Sequence, residues 1–256
     1  MDAKNGWGER SIALAKEISQ LEGDALFFGG DMASNYDDFR RGYEAFASFK
    51  GKKVSILGNN CLETLRYSKL TEGHEEEIQE CLNEFGFHLL DNQPLVIDGV
   101  GFVGNSGWYD GSLFRKSDHQ STEYPTTFDA AMVQAVKHFQ EIIFKGKIPD
   151  NLTPLAFFKY TYERVQTHLE EISAREDVSK IVLGIHHVPH QDFVLYGKSA
   201  KYDFRNFFMG SERFMEFFNH PAVALKFTGH THRDDYFWGV QNLSSTKNHP
   251  YHFFEI

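Results

Sequence analysis

From Ile181 to His187 the chain reads IVLGIHH, an apolar run that passes directly into two histidines. A short apolar run of this length, bounded by polar residues, is typical of a buried β-strand. Ligands of open α/β sheets gather beyond the carboxyl ends of the strands, which is where this strand places its imidazoles. The stretch therefore predicts an α/β sheet with a candidate site at His186.

Three further stretches repeat this arrangement of an apolar strand followed by a polar loop. Ala25–Phe28 leads into GGD, and Val54–Leu57 leads into GNN. Leu225–Thr228 leads into GHTH, which ends at His232. Each loop carries Asp, Asn or His at the carboxyl end of its strand, so we expect the four loops to converge on one metal site.

The segments around these strands carry the patterns of other elements. Helices are predicted over three segments, namely Glu9–Leu21, Asp38–Phe49 and, with a break near Gly146 and Pro149, residues 127–177. A hairpin is predicted over Val96–Val103 and an edge strand over Tyr251–Ile256. The Phe-rich stretch Phe204–Phe218 is interpreted as a core helix, with a lid over the site as the alternative. Alternating strands and helices indicate α/β layers, and residues 1–256 are interpreted as a single domain.

Composition is that of a globular protein, with 41% apolar and 24% charged residues among 256. The formal net charge of −10 disfavours nucleic acid as a partner without excluding it, because such binding relies on Lys and Arg. Two cysteines are too few for a disulfide scaffold. No apolar run has the length of a membrane span and the N-terminus lacks the apolar core of a signal peptide, so a cytoplasmic location is predicted.

The polar loops, taken in order, resemble the signatures of the metallophosphoesterase (calcineurin-like) family. Those signatures run Asp-x-His, Gly-Asp, Gly-Asn-His-(Asp/Glu), His and Gly-His-x-His. Here the matching residues are Gly30-Asp31, Gly58-Asn59, His186 and the GHTH of residues 229–232. The resemblance spans nearly the whole chain. It implies a four-layer αββα sandwich and the hydrolysis of a phosphomonoester or phosphodiester by metal-bound hydroxide.

The resemblance also implies a two-metal site. Asp31 would bridge the metals, Asn59, His186 and His230 would complete the ligands of one metal, and His232 would bind the other. A mixed nitrogen and oxygen set suits a divalent transition metal, such as Mn, Fe, Zn or Ni, better than Ca. Two cations close together would supply the nucleophile and neutralise charge on the phosphoryl oxygens of the phosphate ester substrate.

Two departures from the family pattern bear on activity. The Asp-x-His motif is absent, which leaves the second metal with only Asp31 and His232. Three explanations compete: a truncated product lacking its first strand, which we favour, a natural degenerate enzyme, or a deliberately weakened form. Asn60 stands where the family has a His near the leaving group, and an amide cannot deliver a proton. Asn60 is thus either a weakened catalytic residue or a turn residue. The alternative function is a non-catalytic or weakly active binding protein that retains one metal site.

A second group of candidates surrounds these ligands. Residues 104–110 read GNSGWYD and resemble a loop found after a hairpin in some family members. Trp108 and Tyr109 would wall the substrate pocket, Asp110 would orient a ligand, and the alternative is a packed aromatic turn. His187 is assigned to the substrate-binding set, with a structural role as its alternative.

Overall fold

The computed structural model describes residues 7–33, 35–62, 75–139 and 153–231. The strands within these ranges are β1 (Ala25–Phe28), β2 (Lys52–Ser55), β3 (Phe87–Leu89), β4 (Leu95–Ile97), β5 (Val100–Asn105), β6 (Lys180–Ile185) and β7 (Val223–Thr228). The α-helices are α1 (Trp7–Ile18), α2 (Tyr36–Glu44), α3 (Glu75–Asn83), α4 (Phe128–His138), α5 (Pro154–Ser173), α6 (Ala200–Arg205) and α7 (Met215–Phe218). Short 3-10 helices cover Gln191–Phe193, Asn206–Phe208 and Glu212–Phe214.

The described strands form two sheets, which confirms a mixed α/β fold. The first sheet has the order β1-β2-β3, and all its pairs are parallel. The second has the order β4-β5-β6-β7, in which β4 is antiparallel to β5 and the remaining pairs are parallel. Parallel pairing brings the carboxyl ends of β1 and β2 to one edge, and those of β5, β6 and β7 to another.

The predicted hairpin is confirmed by β4 and β5, which pair Ile97 with Val100 around a two-residue turn. Asp98 and Gly99 occupy that turn with φ values of 48° and 78°. Such a turn requires positive φ at both positions, and Asp followed by Gly accepts it at low cost. Local sequence therefore fixes the register of this pair.

Three of the four hydrophobic clusters among the described residues pack the helices and the two sheets together. One cluster joins the two sheets through Val54, Ile56, Phe102 and Val182. A second packs α1, α2 and α3 on the first sheet through Ala15, Phe39, Tyr43, Leu82 and Leu89. The third packs α4 and α5 on the second sheet through Ala135, Phe158, Val165, Val103 and Leu183.

Several predicted boundaries differ from the structure. The predicted helices over Glu9–Leu21 and Asp38–Phe49 correspond to α1 and α2, which begin two residues earlier and end before the predicted positions. The prediction of one helix over Phe204–Phe218 is wrong. Short helices replace it because Gly210, at a φ of 154°, forms a β-bridge with Val188. The predicted break near Gly146 and Pro149 and the strand Tyr251–Ile256 lie outside the described residues.

Within the part of the chain that the structure describes, no helix is long and apolar enough to cross a membrane.

Candidate metal centre

Two residues from each sheet make up the candidate site. Asp31 lies in the loop after β1, and Asn59 lies four residues beyond the end of β2. His186 directly follows β6, and His230 is the second residue after β7. Asp31, His186 and His230 each offer one ligand atom, and these atoms all lie within 4.8 Å of one another. The fold thus brings together three side chains that could hold a metal ion, although they are up to about 200 positions apart in the chain.

His186 presents one particular ring nitrogen to this group. Its Nδ1 lies 2.9 Å from the carbonyl oxygen of Gly29, and its Nε2 lies 3.2 Å from Oδ2 of Asp31. A carbonyl can only accept, so Nδ1 carries a proton and donates it. Metal-binding histidines commonly donate the second ring N–H in this way, because the bond fixes the tautomer and the ring orientation. Nε2 is therefore the atom that His186 offers to a metal.

The amide of Asn59 adds a fourth donor to the group. One terminal atom of this amide lies 2.8 Å from Nδ1 of His230 and 3.3 Å from Oδ2 of Asp31. The same atom lies 3.3 Å from Nε2 of His186. If this atom is nitrogen, its two N–H groups donate to Nδ1 of His230 and to Oδ2 of Asp31. If it is oxygen, four electron-rich atoms face one another, and a cation among them would satisfy all four.

Two of these residues adopt a left-handed backbone conformation. The φ angles are 56° at Asp31 and 74° at His230. Non-glycine residues seldom adopt such angles, and where they do the conformation is commonly tied to a functional site. Gly58 permits the close approach of the two loops of the first sheet, because a Cβ there would overlap the carboxylate of Asp31.

Asn60 is directed at the same carboxylate. Its backbone N–H donates to Oδ1 of Asp31 at 2.8 Å, and its side-chain nitrogen donates to Oδ2 at 3.0 Å. Residues 59–62 are helical, so this is the first turn of a helix. Asn60 thus holds Asp31 in position, and it also lines the adjoining cavity.

The charges of the group favour an ionised Asp31. Burial raises the pKa of this carboxyl, but the neighbouring imidazoles of His186 and His230 outweigh burial and lower the pKa overall. Burial lowers the pKa of His186, but the charge of Asp31 and its hydrogen bond outweigh burial and raise the pKa overall. The carboxylate of Asp31 and the raised pKa of His186 show that this position favours positive charge, which suits a cation.

His187 lies behind the group rather than in it. Its side chain is only 1% exposed, and its Nδ1 donates to the carbonyl oxygen of Ser106 at 2.8 Å. Its ring packs on that of His230, with the ring centroids 4.4 Å apart. Burial, together with the charge of His186, lowers the pKa of His187 to about 3. A neutral, buried ring of this kind supports the position of His230.

The aromatic loop after β5 is also buried. Trp108 is fully buried and Tyr109 is 3% exposed, and both belong to the cluster between the second sheet and its helices. Asp110 accepts from the backbone N–H of Ser112 at 2.9 Å and from Oγ of Ser211 at 2.8 Å. This loop is therefore a packed aromatic turn, and its residues do not line the cavity themselves, although the ring of Tyr109 packs on that of Phe208 in the cavity wall with the centroids 5.1 Å apart.

One residue that sequence analysis missed connects the two halves of the site. Asp91 is 6% exposed and follows β3 by two residues. Its Oδ2 accepts from the backbone N–H of Leu57, and its Oδ1 accepts from that of Ser106, both at 2.8 Å. Leu57 precedes Asn59 in the first sheet's loop, and Ser106 follows β5 in the second sheet. An acidic residue just past a strand was the only signal that could have indicated it.

A cavity of about 1010 Å³ adjoins the group. Asn59, Asn60, His230 and Thr231 form one part of its wall. Lys137 and Arg205 are the Lys and Arg residues of the wall, and half of the other lining residues are apolar or Tyr. We call Asp31, Asn59, His186 and His230 the metal-ligand group. A ligand in this cavity would contact two members of this group, Asn59 and His230, and also Lys137 and Arg205.

The residues present fit a divalent transition metal. Asp31 offers a carboxylate, His186 and His230 offer imidazole nitrogens, and Asn59 offers an amide oxygen, which together make a mixed set of four donors. The described residues provide this single group of three or more acidic, His or Cys side chains with metal-binding spacing. The sequence-based assignment of His232 to a second metal lies outside the described residues.

Comparisons with known proteins establish the fold. No protein-family profile matches the chain, and no curated protein matches it. A solved structure, that of the phosphopantetheinyl hydrolase (PptH) from Mycobacterium tuberculosis, is similar with a TM-score of 0.64 and 14% identity. The match covers 95% of this chain and 83% of that one.

The assignment to the metallophosphoesterase (calcineurin-like) family is wrong. No family profile supports it, and the structural neighbour is described as a phosphopantetheinyl hydrolase. The assignment rested on four motifs of two to four residues. Asp, Asn and His are favoured at strand ends wherever an α/β fold builds a polar site, so these motifs report the geometry of the site more than descent.

Proposed function

We propose that this chain is a metal-dependent hydrolase of phosphate esters, acting on a phosphomonoester or a phosphodiester. One observation carries the proposal. Asp31, His186 and His230 converge within 4.8 Å beside a large cavity that also contains Lys137 and Arg205. The cation-binding group and the anion-binding cavity together match the charge distribution of a phosphate ester bound through a metal.

The protein's own residues have distinct roles in this proposal. Asp31, Asn59, His186 and His230 hold a divalent cation, for which we propose Mn, Fe, Zn or Ni. A bound cation would supply a Lewis acid for a phosphoryl oxygen and lower the pKa of water. Asn60 fixes the carboxylate of Asp31 through two hydrogen bonds, and the ring of His187 supports that of His230. His232 remains our proposal for a ligand of a second metal.

The layer arrangement of this enzyme is also proposed here. We propose a four-layer αββα sandwich, in which the two sheets face each other and helices cover their outer faces. Support comes from the three hydrophobic clusters, one between the sheets and one on the helix-covered side of each.

A metal-dependent binding protein is the second candidate, and Asn60 is the observation that favours it. Both of its N–H donors point at Asp31, and an amide cannot deliver a proton to a leaving group. General acid catalysis typically contributes about 10²–10⁴-fold, so a site without it loses much of its rate. A protein that retains the metal yet turns over no ester would fit this second function.

The test combines metal content with turnover. The purified chain is stripped with a chelator, reloaded separately with each of the four metals, and assayed on p-nitrophenyl phosphate, bis(p-nitrophenyl) phosphate and a phosphopantetheinyl ester. We expect about one metal per chain from the one described ligand group, and hydrolysis only after reloading. His186→Ala and His230→Ala should lose most of the metal and reduce turnover by about 100-fold or more.

His119→Ala is the matched control. This histidine is exposed, its Nε2 donates to the carbonyl oxygen of Gly197, and it does not belong to the group of Asp31, His186 and His230. It should keep both metal and turnover. Full metal content and turnover in His186→Ala and His230→Ala would refute the site. Metal binding without turnover of any ester would favour the binding protein.

A further inference from the structure

The cavity beside the metal-ligand group is far larger than a phosphate needs. Its volume of about 1010 Å³ lies at the upper end of the roughly 300–1,000 Å³ of typical small-molecule pockets. A pocket of this size has room for an organic ligand of many atoms. The phosphate that would contact Asn59 and His230 is therefore only one part of the occupant.

Two cations line the cavity on elements that do not carry the metal ligands. Lys137 lies on α4 and Arg205 ends α6, and both side chains are exposed. The ion pairs formed among the described residues use other cations. In a chain of net charge −10, two such cations in one cavity favour an anionic group there. Arg in particular matches the geometry of a phosphate or carboxylate.

Half of the other lining residues are apolar or Tyr. Phe204 and Phe208 pack edge to face with their ring centroids 5.2 Å apart. The ring of His138 packs on that of Phe208 with the centroids 5.7 Å apart. The other apolar contributors are Phe193, Val194, Leu195 and Met209. Apolar walls with a few placed polar groups are the usual design of a pocket that binds an organic body and orients it by its ends.

From these three parts of the wall we infer that the substrate is an organic phosphate with a second anionic group. Lys137 and Arg205 hold that second group, and an apolar segment between the two anions packs on the aromatic wall. The inference rests on the proposed function, because it takes the scissile phosphate to lie at the metal-ligand group. It deepens that function by naming the class of substrate.

Calorimetric binding of a series of α,ω-alkanediyl bisphosphates tests the inference. Each bisphosphate is compared with the alkyl monophosphate of the same chain length, with Mn²⁺ present and with Mn²⁺ absent. We expect the best bisphosphate to bind about tenfold more tightly than its monophosphate, since one charge-assisted contact contributes about that much. Lys137→Gln and Arg205→Gln should each remove most of this difference between bisphosphate and monophosphate affinity.

Lys201→Gln is the matched control, because Lys201 is exposed on α6 but is not among the residues lining the cavity. It should leave the preference for the bisphosphate intact. Equal affinity for bisphosphate and monophosphate at every chain length would overturn the inference. An equal loss of preference in Lys201→Gln would also overturn it, because overall charge would then be the cause.

The two proposals fail in different ways. If small phosphate esters are hydrolysed but no bisphosphate is preferred, the second anion site is wrong and the hydrolase stands. If the bisphosphate preference appears and depends on Lys137 and Arg205 but no ester is hydrolysed, the anion site stands as a binding site and the hydrolase is wrong.

Discussion

At the scale of single residues, the candidate metal centre has a strained backbone. Of its three residues Asp31, His186 and His230, the first and the last have a left-handed conformation. Asp31 and His230 have φ angles of 56° and 74°. The left-handed region costs a residue with a Cβ roughly 1–2 kcal/mol, and glycine adopts it freely. The fold sustains this cost at the positions where side-chain direction matters most.

His230 allows that cost to be measured. In chelator-treated protein, we expect His230→Gly to be more stable than His230→Ala by about 1 kcal/mol, because glycine accepts the φ of 74° and alanine does not. The measurement is the free energy of unfolding of both variants in denaturant. The same pair of substitutions at His119 in its exposed loop is the control, and no positive φ occurs there. An equally large advantage for glycine at His119, or none at His230, would contradict the account.

The sequence singles out residues of this candidate site, but it does not reveal the contacts around them. Asp31, His186 and His230 stand out because each follows an apolar strand, and parallel strands end at a common edge. The bonds of Asn60 to Asp31 could not be predicted, because they depend on the first turn of a helix that approaches from another loop. The burial of Trp108 and His187 depends on helices that pack over the second sheet, which no local pattern reveals.

At the scale of elements, the start of helix α5 is clearly signalled in the sequence, and its buried face contains one histidine that is costly to protonate. Thr153 accepts from the backbone N–H of Ala156 at 3.1 Å, and Pro154 occupies the first turn, where its missing N–H is harmless. The inward stripe of α5 includes Val165, Leu169 and, between them in helical register, His168. Burial, together with the charge of Arg164, lowers the pKa of His168 to about 4.

His168 should make stability depend on pH. Its pKa is about 4 in the folded chain and 6.5 when unfolded, so between these values the unfolded chain binds more protons. Stability is therefore lost as the pH falls from 6.5 towards 4, and we expect this residue to account for roughly 2 kcal/mol of the loss. Unfolding free energies of wild type and His168→Gln at neutral and acid pH measure it. The variant should lose less stability on acidification, and His119→Gln should behave as wild type; identical pH profiles of wild type and His168→Gln would refute this role.

Element boundaries were predictable where the chain itself enforces them. The hairpin β4–β5 follows from Asp98 and Gly99, and β1 was predicted at its observed bounds because glycines end it. The stretch Phe204–Phe218 shows the opposite case. Its aromatic residues have the spacing of a core helix, but Gly210 pairs with Val188, a residue of a distant loop. A tertiary contact of this kind overrides local periodicity and leaves no mark in the local sequence.

At the scale of the whole molecule, Asp91 connects the two sheets beside the site. Its carboxylate accepts one backbone N–H from each side, from Leu57 and from Ser106. The loop after Leu57 leads to Asn59, and the carbonyl oxygen of Ser106 accepts from His187. The negative charge of Asp91 also contributes to the raised pKa of His186. One buried carboxylate thus couples the relative position of the sheets to the geometry of the metal ligands.

Asp91→Asn tests this coupling, because the amide nitrogen would face a backbone N–H where an acceptor is needed. We expect the free energy of unfolding to fall by about 1–3 kcal/mol and metal affinity to weaken by roughly tenfold. Denaturant unfolding and metal titration measure the two effects. Asp203→Asn is the control, since Asp203 is buried and accepts from the backbone N–H of Gly197 without joining the sheets. Asp203→Asn should lower the free energy of unfolding and leave metal affinity unchanged. If Asp91→Asn also left metal affinity unchanged, the contact of Asp91 with both sheets would have no effect on the metal site.

The division of the ligands between two sheets has a consequence for the timing of biosynthesis. Asp31 and Asn59 leave the ribosome before His186 and His230, and about 200 positions of chain separate Asp31 from His230. At about 5–20 residues per second, translation takes roughly 10–40 s to cover that distance. The full set of donors exists only once β7 has been synthesised and has paired with β6. The cation that we propose for this group would therefore be selected from the metals available after translation of this strand, and not from those available while only Asp31 and Asn59 have been synthesised.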